Sequence, residues 1–333
     1  MIISQTPLRI SFVGGGTDLK DYWSVKPGAV LSTTIDKYVF VIIKERFDDY
    51  IYVNYTQKEI VSKPSNLKHD LVRETMLKAG MEGGVEITTL ADIPSEGSGL
   101  GSSSSITVGL LNAFYAFQGI QVTAEQLAQE ACEIEIDILG NPIGKQDQYI
   151  AAYGGLREII FNPDETVTIE SVKINSANKL TFGSNMLLFY TDTTRQSLDI
   201  LVEQKKDTPQ KMDILTQMRD QVNPLKEILE SDDSGLCCDQ VGQILHETWK
   251  YKKQLSKKIS NPDINKMYQQ ARDAGALGGK ISGAGGGGFL LVYVSREKQN
   301  AVRAALKDYR HFPFMLEPDG SKIIFNIKRA YWK

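Results

Sequence analysis

The amino-acid sequence predicts a protein of the α/β or α+β class, because strand-like and helix-like segments alternate along its 333 residues. The stretch over 29–46 is rich in β-branched residues, which indicates one or two strands. The stretch over 103–117 instead places Ile106, Leu110 and Phe114 on one face of a helix. The length allows two domains of ordinary size.

The first half of the chain contains four strand predictions and three helix predictions. Thr123 and Gln126 form a plausible capping box at the start of the third helix. The first helix is expected to stop near Gly80. The strands are predicted over 2–13, 29–46, 50–54 and 85–90, and the helices over 67–79, 103–117 and 123–139.

The pattern restarts near residue 182, and we therefore predict domains over 1–180 and 181–333. The second half contains a glycine-rich segment over 278–288, directly before an apolar strand. The helices are predicted within 197–230 and over 239–255, 264–274 and 299–309, and the strands over 185–191, 289–294 and 322–327.

Composition excludes several classes of protein. The net charge of −3 gives no support to a nucleic-acid or membrane-surface role, which usually needs a basic face. Three cysteines, two of them adjacent, argue against a secreted disulfide framework, and three widely spaced histidines argue against a structural zinc site. The sequence has no signal-peptide pattern and no apolar run near the roughly 20 residues of a membrane helix. We expect a cytoplasmic protein.

The segment PSEGSGLGSSSS, residues 94–105, lies between a predicted strand and a predicted helix. Glycines allow backbone N–H groups to approach an anion closely, and the start of the following helix favours phosphate. The serines add hydroxyl donors and one candidate magnesium ligand. The alternative is a flexible Gly/Ser linker, which the short length and the position between two elements disfavour.

Two other phosphate-binding patterns do not fit. A Walker A loop ends in Gly-Lys-Ser/Thr, and this loop has no lysine. Gly283, Gly285 and Gly288 have the G-x-G-x-x-G spacing of a dinucleotide site, but they precede a strand instead of opening a helix. An NAD-dependent enzyme is therefore a weak alternative, which tight binding of NAD without ATP would revive.

Three segments together resemble the motifs of the GHMP kinases, the family of galactokinase, homoserine kinase, mevalonate kinase and phosphomevalonate kinase. PLRI at 7–10 with GGGTD at 14–18 resembles the N-terminal motif, the loop at 94–105 the second, and KISGAGGGG at 280–288 the third. They occur in the family's order and span most of the chain. GGGTDLKDYW, GAVLSTTIDKYVFV and NPIGKQDQYIAAYGG are in addition similar to the D-glycero-D-manno-heptose 7-phosphate kinases within that family.

The resemblance implies an α+β, two-domain GHMP kinase fold, with a ribosomal protein S5 domain 2-like N-terminal domain, a ferredoxin-like C-terminal domain and the site between them. It implies ATP and Mg²⁺ as cofactors and a phosphorylated sugar as substrate. The implied reaction converts heptose 7-phosphate to the 1,7-bisphosphate, for activated heptose in lipopolysaccharide or capsule synthesis. The alternatives are a GHMP kinase for fucose or an amino sugar, and a non-catalytic sugar sensor. The sequence predicts no nucleic-acid, membrane or protein partner and leaves the oligomeric state open.

The resemblance also assigns catalytic residues. Asp147, in GKQDQ, corresponds to the catalytic aspartate, and Arg9 to an arginine that stabilises charge or holds that aspartate. Ser103 and Glu135 are implied as magnesium ligands, with Glu133 as a competitor to Glu135. The residues expected to bind ATP are Gly97, Ser98, Gly99, Leu100, Gly101, Ser102, Ser103 and Ser104.

The implied sugar site includes Gly15 and Gly16, which replace the Glu-His of galactokinase and leave room for a larger sugar. Lys145, Arg157 and Arg195 are candidates for a distal phosphate, although for any one of them alone a solvated surface charge is the favoured explanation. The residues expected to contact the substrate are Gly15, Gly16, Thr17, Asp18, Lys145, Arg195, Gly285 and Gly286.

Overall fold

The computed structural model describes residues 1–93, 97–192, 197–231 and 236–327. These residues form two β-sheets with helices packed against them. The strands are β1 (Ile2–Val13), β2 (Gly28–Glu45), β3 (Ile51–Asn54), β4 (Lys58–Val61), β5 (Val85–Ala91), β6 (Leu156–Phe161), β7 (Val167–Ser171), β8 (Met186–Tyr190), β9 (Gly278–Ile281), β10 (Phe289–Tyr293), β11 (Leu316–Glu317) and β12 (Lys322–Asn326). The helices are α1 (Lys20–Trp23), α2 (Asp70–Lys78), α3 (Ser102–Gln118), α4 (Ala124–Cys132), α5 (Gln146–Tyr153), α6 (Ser176–Ser184), α7 (Ser197–Asp207), α8 (Met212–Arg219), α9 (Val222–Glu230), α10 (Cys238–Leu255), α11 (Pro262–Asp273) and α12 (Gln299–Ala305).

The larger sheet is organised around β2, which is 18 residues long. One edge of β2 pairs with β1, and the other edge pairs in turn with β6, β11 and β5. All of these pairings are antiparallel, whereas β3 pairs with β5 in parallel. The last strand, β12, pairs with the outer edge of β1. Both ends of the described chain therefore contribute to one sheet, and the predicted division at residue 180 stays a prediction.

The smaller sheet has the strand order β8-β10-β9. Residues 310–312 run along the free edge of β8, where Tyr190 N donates to Arg310 O and Phe312 N to Leu188 O. With this short segment counted as a fourth strand, the order is 4-1-3-2, and helices lie between the first and second and between the third and fourth. That is the βαββαβ arrangement of a ferredoxin-like domain, as predicted.

Residues of β8 and β10 are buried on both faces of the smaller sheet. Leu188 and Leu291 belong to the core shared with the larger sheet, whereas Leu187 and Leu290 belong to a second core with α10 and α11. Side chains alternate between the two faces of a strand, so burial on both faces requires a continuous apolar run. The apolar run FLLVY of β10 is explained by the burial of the smaller sheet between these two cores.

Most predicted elements are present with shifted ends. Half of the predicted capping box is present: Thr123 Oγ1 accepts a hydrogen bond from Gln126 N at 3.1 Å, whereas the side chain of Gln126 donates to Glu130. The helical region over 197–230 is divided into α7, α8 and α9, and Pro209 lies in the short 3₁₀ turn after α7. Proline lacks the N–H that a continuing helix needs, which accounts for the first break. Among the described residues, no helix is both long and apolar enough to cross a membrane.

Candidate active site

The loop before α3 has the backbone shape that its glycines allow. Gly97, Gly99 and Gly101 have φ values of +72°, +72° and +78°, in the left-handed region that other residues rarely adopt. Gly101 directly precedes Ser102, the first residue of α3. The first turn of a 17-residue helix therefore points its free N–H groups and serine hydroxyls at the space next to the loop.

The two glycine-rich segments pack directly against each other. A Cβ atom on Gly283 would come within 2.5 Å of Gly99 Cα, and one on Gly288 within 2.5 Å of Ser98 O. These contacts join the α3 loop to the segment between β9 and β10. The close packing of two backbones explains why both segments are rich in glycine.

Arg9 and Asp147 form the central ion pair of the site. Arg9 Nε donates to Asp147 Oδ1 at 2.7 Å, and Arg9 Nη2 donates to Oδ2 at 2.6 Å. The remaining guanidinium nitrogen, Nη1, donates to Gly99 O. Arg9 is 5% exposed and Asp147 is 22% exposed, so the carboxylate is the partner that can reach a ligand. A bidentate pair of this kind fixes the orientation of both groups.

These groups line one cavity of about 860 Å³ between the two domains. Its size is within the usual range for small-molecule sites. The predicted site residues that line it are Arg9, Gly15, Gly16, Asp18, Gly97, Ser98, Gly99, Gly101, Ser102, Ser103, Ser104, Glu135 and Asp147.

Asp18 anchors a polar corner of the cavity. Its Oδ1 accepts a hydrogen bond from Gly16 N at 2.9 Å, and its Oδ2 accepts one from Gln146 Nε2 at 3.0 Å. Burial and the negative charge of Asp147 raise the pKa of Asp18. Ser11 Oγ and Gln146 Oε1 are also buried here, and neither has a hydrogen-bond partner among the described residues. Such groups can bind the hydroxyls of a polar ligand.

Glu135 also lines the cavity and is fully buried. Its Oε2 accepts hydrogen bonds from Ser104 Oγ at 2.9 Å and Gln148 Nε2 at 3.1 Å. Its Oε1 has no partner among the described residues. Burial, together with the negative charge of Asp147, raises the pKa of Glu135 to about 7. A buried carboxylate oxygen without a partner is a site for a cation or a proton.

Comparison with known proteins identifies the family. The GHMP kinases N terminal domain matches residues 66–155, and the GHMP kinases C terminal domain matches residues 237–311. A D-glycero-alpha-D-manno-heptose 7-phosphate kinase of Campylobacter jejuni is 31% identical over an alignment of 325 residues that covers 92% of this chain and 94% of that protein. The chain belongs to the GHMP kinase family. It is therefore a kinase, an enzyme that transfers phosphate from ATP to a hydroxyl group.

Solved structures agree with this assignment. The crystal structure of a D-glycero-D-manno-heptose 1-phosphate kinase from Bacteroides thetaiotaomicron has a TM-score of 0.81 and 26% identity, covering 99% of this chain and 100% of that one. Lactococcus lactis galactokinase complexed with galactose has a TM-score of 0.75 at 15% identity, covering 96% and 94% of the two chains, and shows the fold alone. The predicted α+β, two-domain GHMP kinase fold is confirmed.

The donor set of this GHMP kinase fits a magnesium ion. Ser103, in the first turn of α3, and Glu135, with its unpartnered Oε1, line the same cavity. Mg²⁺ prefers oxygen ligands and is usually held by one or two carboxylates together with substrate phosphates. Glu133, the competitor, is exposed and forms an ion pair with Lys78 instead.

Several predicted site residues do not line the cavity. Thr17 is fully buried, and its Oγ1 donates to Gly14 O at 2.8 Å and contacts Ala29 O, so it holds the turn together. Lys145 lies with its Nζ 4.5 Å from the centre of the Trp23 ring. Leu100 is buried, and its carbonyl accepts a hydrogen bond from Arg9 N.

Gly285, Gly286 and Arg157 are also absent from the lining of the cavity. A Cβ on Gly285 would meet Ile259 Cγ2 at 2.9 Å, and Gly286 N donates to Ile259 O at 2.8 Å. Both glycines therefore pack against Ile259. Arg157 donates to Gly154 O and to Ser171, away from the cavity. Arg195 lies outside the described residues.

Sequence reasoning missed two lysines of the cavity, Lys252 and Lys280. Lys280 begins the third motif, and its position inside a glycine-rich segment was a signal that could have been used. Lys252 lies seven residues after Leu245 and four after Thr248, both fully buried, so helical spacing places it on the buried face of α10. A lysine on such a face needs a functional or structural reason.

Proposed function

We propose that this kinase transfers the γ-phosphate of ATP to the anomeric hydroxyl of D-glycero-D-manno-heptose 7-phosphate and so forms the 1,7-bisphosphate. The observation that carries the proposal is the Arg9–Asp147 pair beside the α3 loop, because it puts a fixed carboxylate next to a phosphate-binding backbone. The heptose assignment rests on the Campylobacter jejuni relative, which is similar over nearly its whole length.

The chemistry requires a positioned hydroxyl and an acceptor for its proton. The hydroxyl oxygen attacks the γ-phosphorus, the bond from that phosphorus to the β–γ bridging oxygen breaks, and ADP leaves with the electron pair. Asp147 orients the hydroxyl and accepts its proton. Arg9 holds both oxygens of Asp147, so the carboxylate cannot rotate away from the acceptor.

The loop and the first turn of α3 bind the nucleotide phosphates through backbone N–H groups and the hydroxyls of Ser102 and Ser103. Ser103 and Glu135 would hold Mg²⁺, which supplies positive charge to the phosphate oxygens. Ser104 is a positioning residue in this scheme, because its hydroxyl is bonded to Glu135 Oε2.

The polar corner around Asp18 binds the sugar. Ser11 Oγ and Gln146 Oε1 are buried without partners in the described part of the chain, and sugar hydroxyls satisfy groups of this kind. A Cβ on Gly15 would lie 3.9 Å from Ser11 Oγ and 4.0 Å from Gln146 Nε2. Glycine at this position therefore keeps the corner open for a sugar with an extended side chain.

The experiment is ADP release from ATP and Mg²⁺ with a panel of acceptors, followed by phosphorus NMR of the product. The panel contains heptose 7-phosphate, heptose 1-phosphate, free heptose, fucose, galactose, N-acetylglucosamine and mevalonate. Preference for heptose 7-phosphate with a new anomeric phosphate supports the proposal. Preference for heptose 1-phosphate, the substrate in the name of the Bacteroides protein, would move the reacting hydroxyl to another carbon. Preference for fucose would be consistent with the kinase mechanism but would contradict the assignment of heptose 7-phosphate as the substrate.

We further assign the product to the synthesis of activated heptose for a bacterial surface polysaccharide, and the enzyme to the cytoplasm, where ATP is available. The assignment to polysaccharide synthesis depends on the substrate, so the same panel of acceptors tests it. An enzyme that phosphorylates only mevalonate would remove it.

A further inference from the structure

Lys252 of α10 and Lys280 of β9 reach the cavity from the C-terminal domain. Lys280 Nζ donates to Ser11 O at 2.7 Å and to Phe12 O at 2.9 Å, both on β1. Lys252 Nζ donates to Ile281 O at 2.9 Å and to Gly283 O. An ammonium group has three donors. Each lysine therefore has one N–H beyond the two carbonyl bonds.

Neither lysine has a carboxylate partner within the described residues. Both side chains are buried, at 7% and 3% exposure, and neither appears in any ion pair of that part of the chain. Arg9, the third cation of the cavity, is by contrast neutralised by Asp147. A buried positive charge without a counter-ion is unfavourable, and an anionic ligand removes that cost.

The position of the lysines indicates which anion is bound. Gly283, whose carbonyl accepts from Lys252, packs against Gly99 of the α3 loop. Gly99 O in turn accepts from Arg9, which holds Asp147. Lys252 thus lies beside the point where the nucleotide loop meets the proposed base. Lys280 is bonded to Ser11 O, two residues after Arg9 on β1, and is near enough to Lys252, Arg9 and Asp18 for their charges to act on it. A phosphate at the far end of a heptose would lie several bonds away from that point.

We propose that Lys252 and Lys280 together bind the phosphate group that is transferred, as a cationic site contributed by the C-terminal domain. The proposal rests on the kinase mechanism proposed above but not on the identity of the sugar. It assigns to the C-terminal domain a direct role in binding the terminal phosphate of the nucleotide. Lys280 also joins the two domains at this site, because it is bonded to β1 of the other domain.

Protonation provides a readout that a purely structural lysine would not give. Burial and the positive charge of Arg9 lower the pKa of Lys280 to about 7, and Asp18 acts in the opposite direction. Burial, Lys280 and Arg9 lower the pKa of Lys252 in the same way. The other titratable groups that line the cavity are Asp147, Glu135, Asp70 and His69. A bound phosphate favours the charged ammonium forms, so its binding at pH 8 takes up protons.

The test is calorimetric titration at pH 8 with Mg²⁺ and the β,γ-methylene analogue of ATP, repeated in buffers of different ionisation enthalpy. ADP and heptose 7-phosphate are titrated in parallel. We expect proton uptake with the triphosphate analogue and little with ADP. Lys252→Met and Lys280→Met should each reduce that uptake and weaken binding of the analogue roughly ten- to hundredfold, the range for hydrogen bonds to charged groups, while ADP binding changes little. The nucleotide's own titration cancels in the difference between variant and wild type.

Lys250→Met is the matched control, because Lys250 lies on the same helix and is half exposed. Lys252→Arg and Lys280→Arg keep the charge and should restore part of the affinity if charge is what matters. Equal proton uptake with ADP and with the triphosphate analogue overturns the proposal. So does uptake produced by heptose 7-phosphate alone, which would assign the lysines to the acceptor's phosphate. Lys252→Arg and Lys280→Arg keep the proposal testable if a Met variant fails to fold, because arginine stays charged at pH 8 and should abolish the proton uptake of the lysine that it replaces. These titrations need no active acceptor.

Discussion

Arg9 and Asp147 are 138 residues apart in sequence, yet their side chains form a bidentate ion pair with contacts of 2.7 and 2.6 Å. Arg9 lies in the middle of β1, and Asp147 lies in the first turn of α5. The buried partner is the arginine and the partly exposed partner is the carboxylate. The pair therefore presents an oriented carboxylate, that of Asp147, to the cavity.

Asp147→Asn should lower kcat by about 10²- to 10⁴-fold, the usual contribution of a positioned base, with ATP affinity nearly unchanged. The amide keeps the shape of the side chain but cannot accept the proton. Steady-state ADP release and equilibrium binding of ATP measure the two effects separately. Asp137→Asn, at an exposed position, is the control and should have wild-type kcat. Unchanged turnover in Asp147→Asn would remove this residue from the mechanism.

Ser103→Ala should raise the magnesium concentration needed for half-maximal activity several-fold, because one oxygen ligand is lost. Ser104→Ala should have a smaller effect, since Ser104 contacts Glu135 and not the cation itself. A magnesium titration at fixed ATP measures both. If the Ser103→Ala curve overlays that of the wild type, the ligand assignment is wrong.

Gly99→Ala should destabilise the protein by at least about 2 kcal/mol more than Gly80→Ala, because overpacking adds to backbone strain. The two glycines have similar φ values, +72° and +67°. A Cβ on Gly99 would approach Ser282 O to 2.5 Å, whereas a Cβ on Gly80 has nothing within 4 Å. Urea unfolding of both variants isolates the contact between the glycine segments. Equal losses would show that only the backbone conformation matters at Gly99.

The stability of the wild type should rise with pH between about 7 and 10 because of Lys280. The folded protein has a Lys280 pKa of about 7, below the ordinary value of 10.5. In this window the unfolded chain binds a proton that the folded protein does not, so the free energy of unfolding increases with pH by up to about 1.4 kcal/mol per unit. Below pH 7 the full cost of burying the charge is present.

Lys280→Met removes this titration and should flatten the slope. Urea midpoints at pH 7, 8 and 9 for the variant and the wild type measure the difference. Lys250→Met should retain the wild-type slope, since Lys250 is half exposed. Parallel slopes for wild type and Lys280→Met would mean that the lysine titrates normally in the folded state.

The sequence predicted the parts of the site whose chemistry is local. The glycine segments, Arg9 and Asp147 stand in recognisable motifs, and the structure brings them to one cavity. The resemblance favours Glu135 over Glu133 as the metal ligand. Burial distinguishes the two in the structure, because Glu135 lies one helical turn after Ala131 on the buried face. Local spacing alone could have made that distinction.

The parts that could not be predicted depend on distant packing. Lys145 was expected near a phosphate, but its ammonium lies over the ring of Trp23, which is far away in sequence. Thr17 follows the glycines of the N-terminal motif, where the family resemblance places substrate contacts. Its hydroxyl is instead hydrogen-bonded to Ala29 O, within the protein. Lys252 and Lys280 were overlooked because lysine is rarely buried, and nothing nearby in sequence reveals the carbonyls they bind.

The pairing of β12 with β1 has a consequence for synthesis on the ribosome. Ribosomal synthesis produces β1 and β2 early. The strand β12, which covers the outer edge of β1, and the strand β11, which pairs with β2 between β5 and β6, come from residues 316–326. Domains usually fold in order as they emerge. Here the larger sheet cannot be completed until the second domain has been translated. Until then, the outer edge of β1 is unpaired. Nascent chains stalled before residue 316 should therefore depend on chaperones more than the length of the N-terminal half suggests.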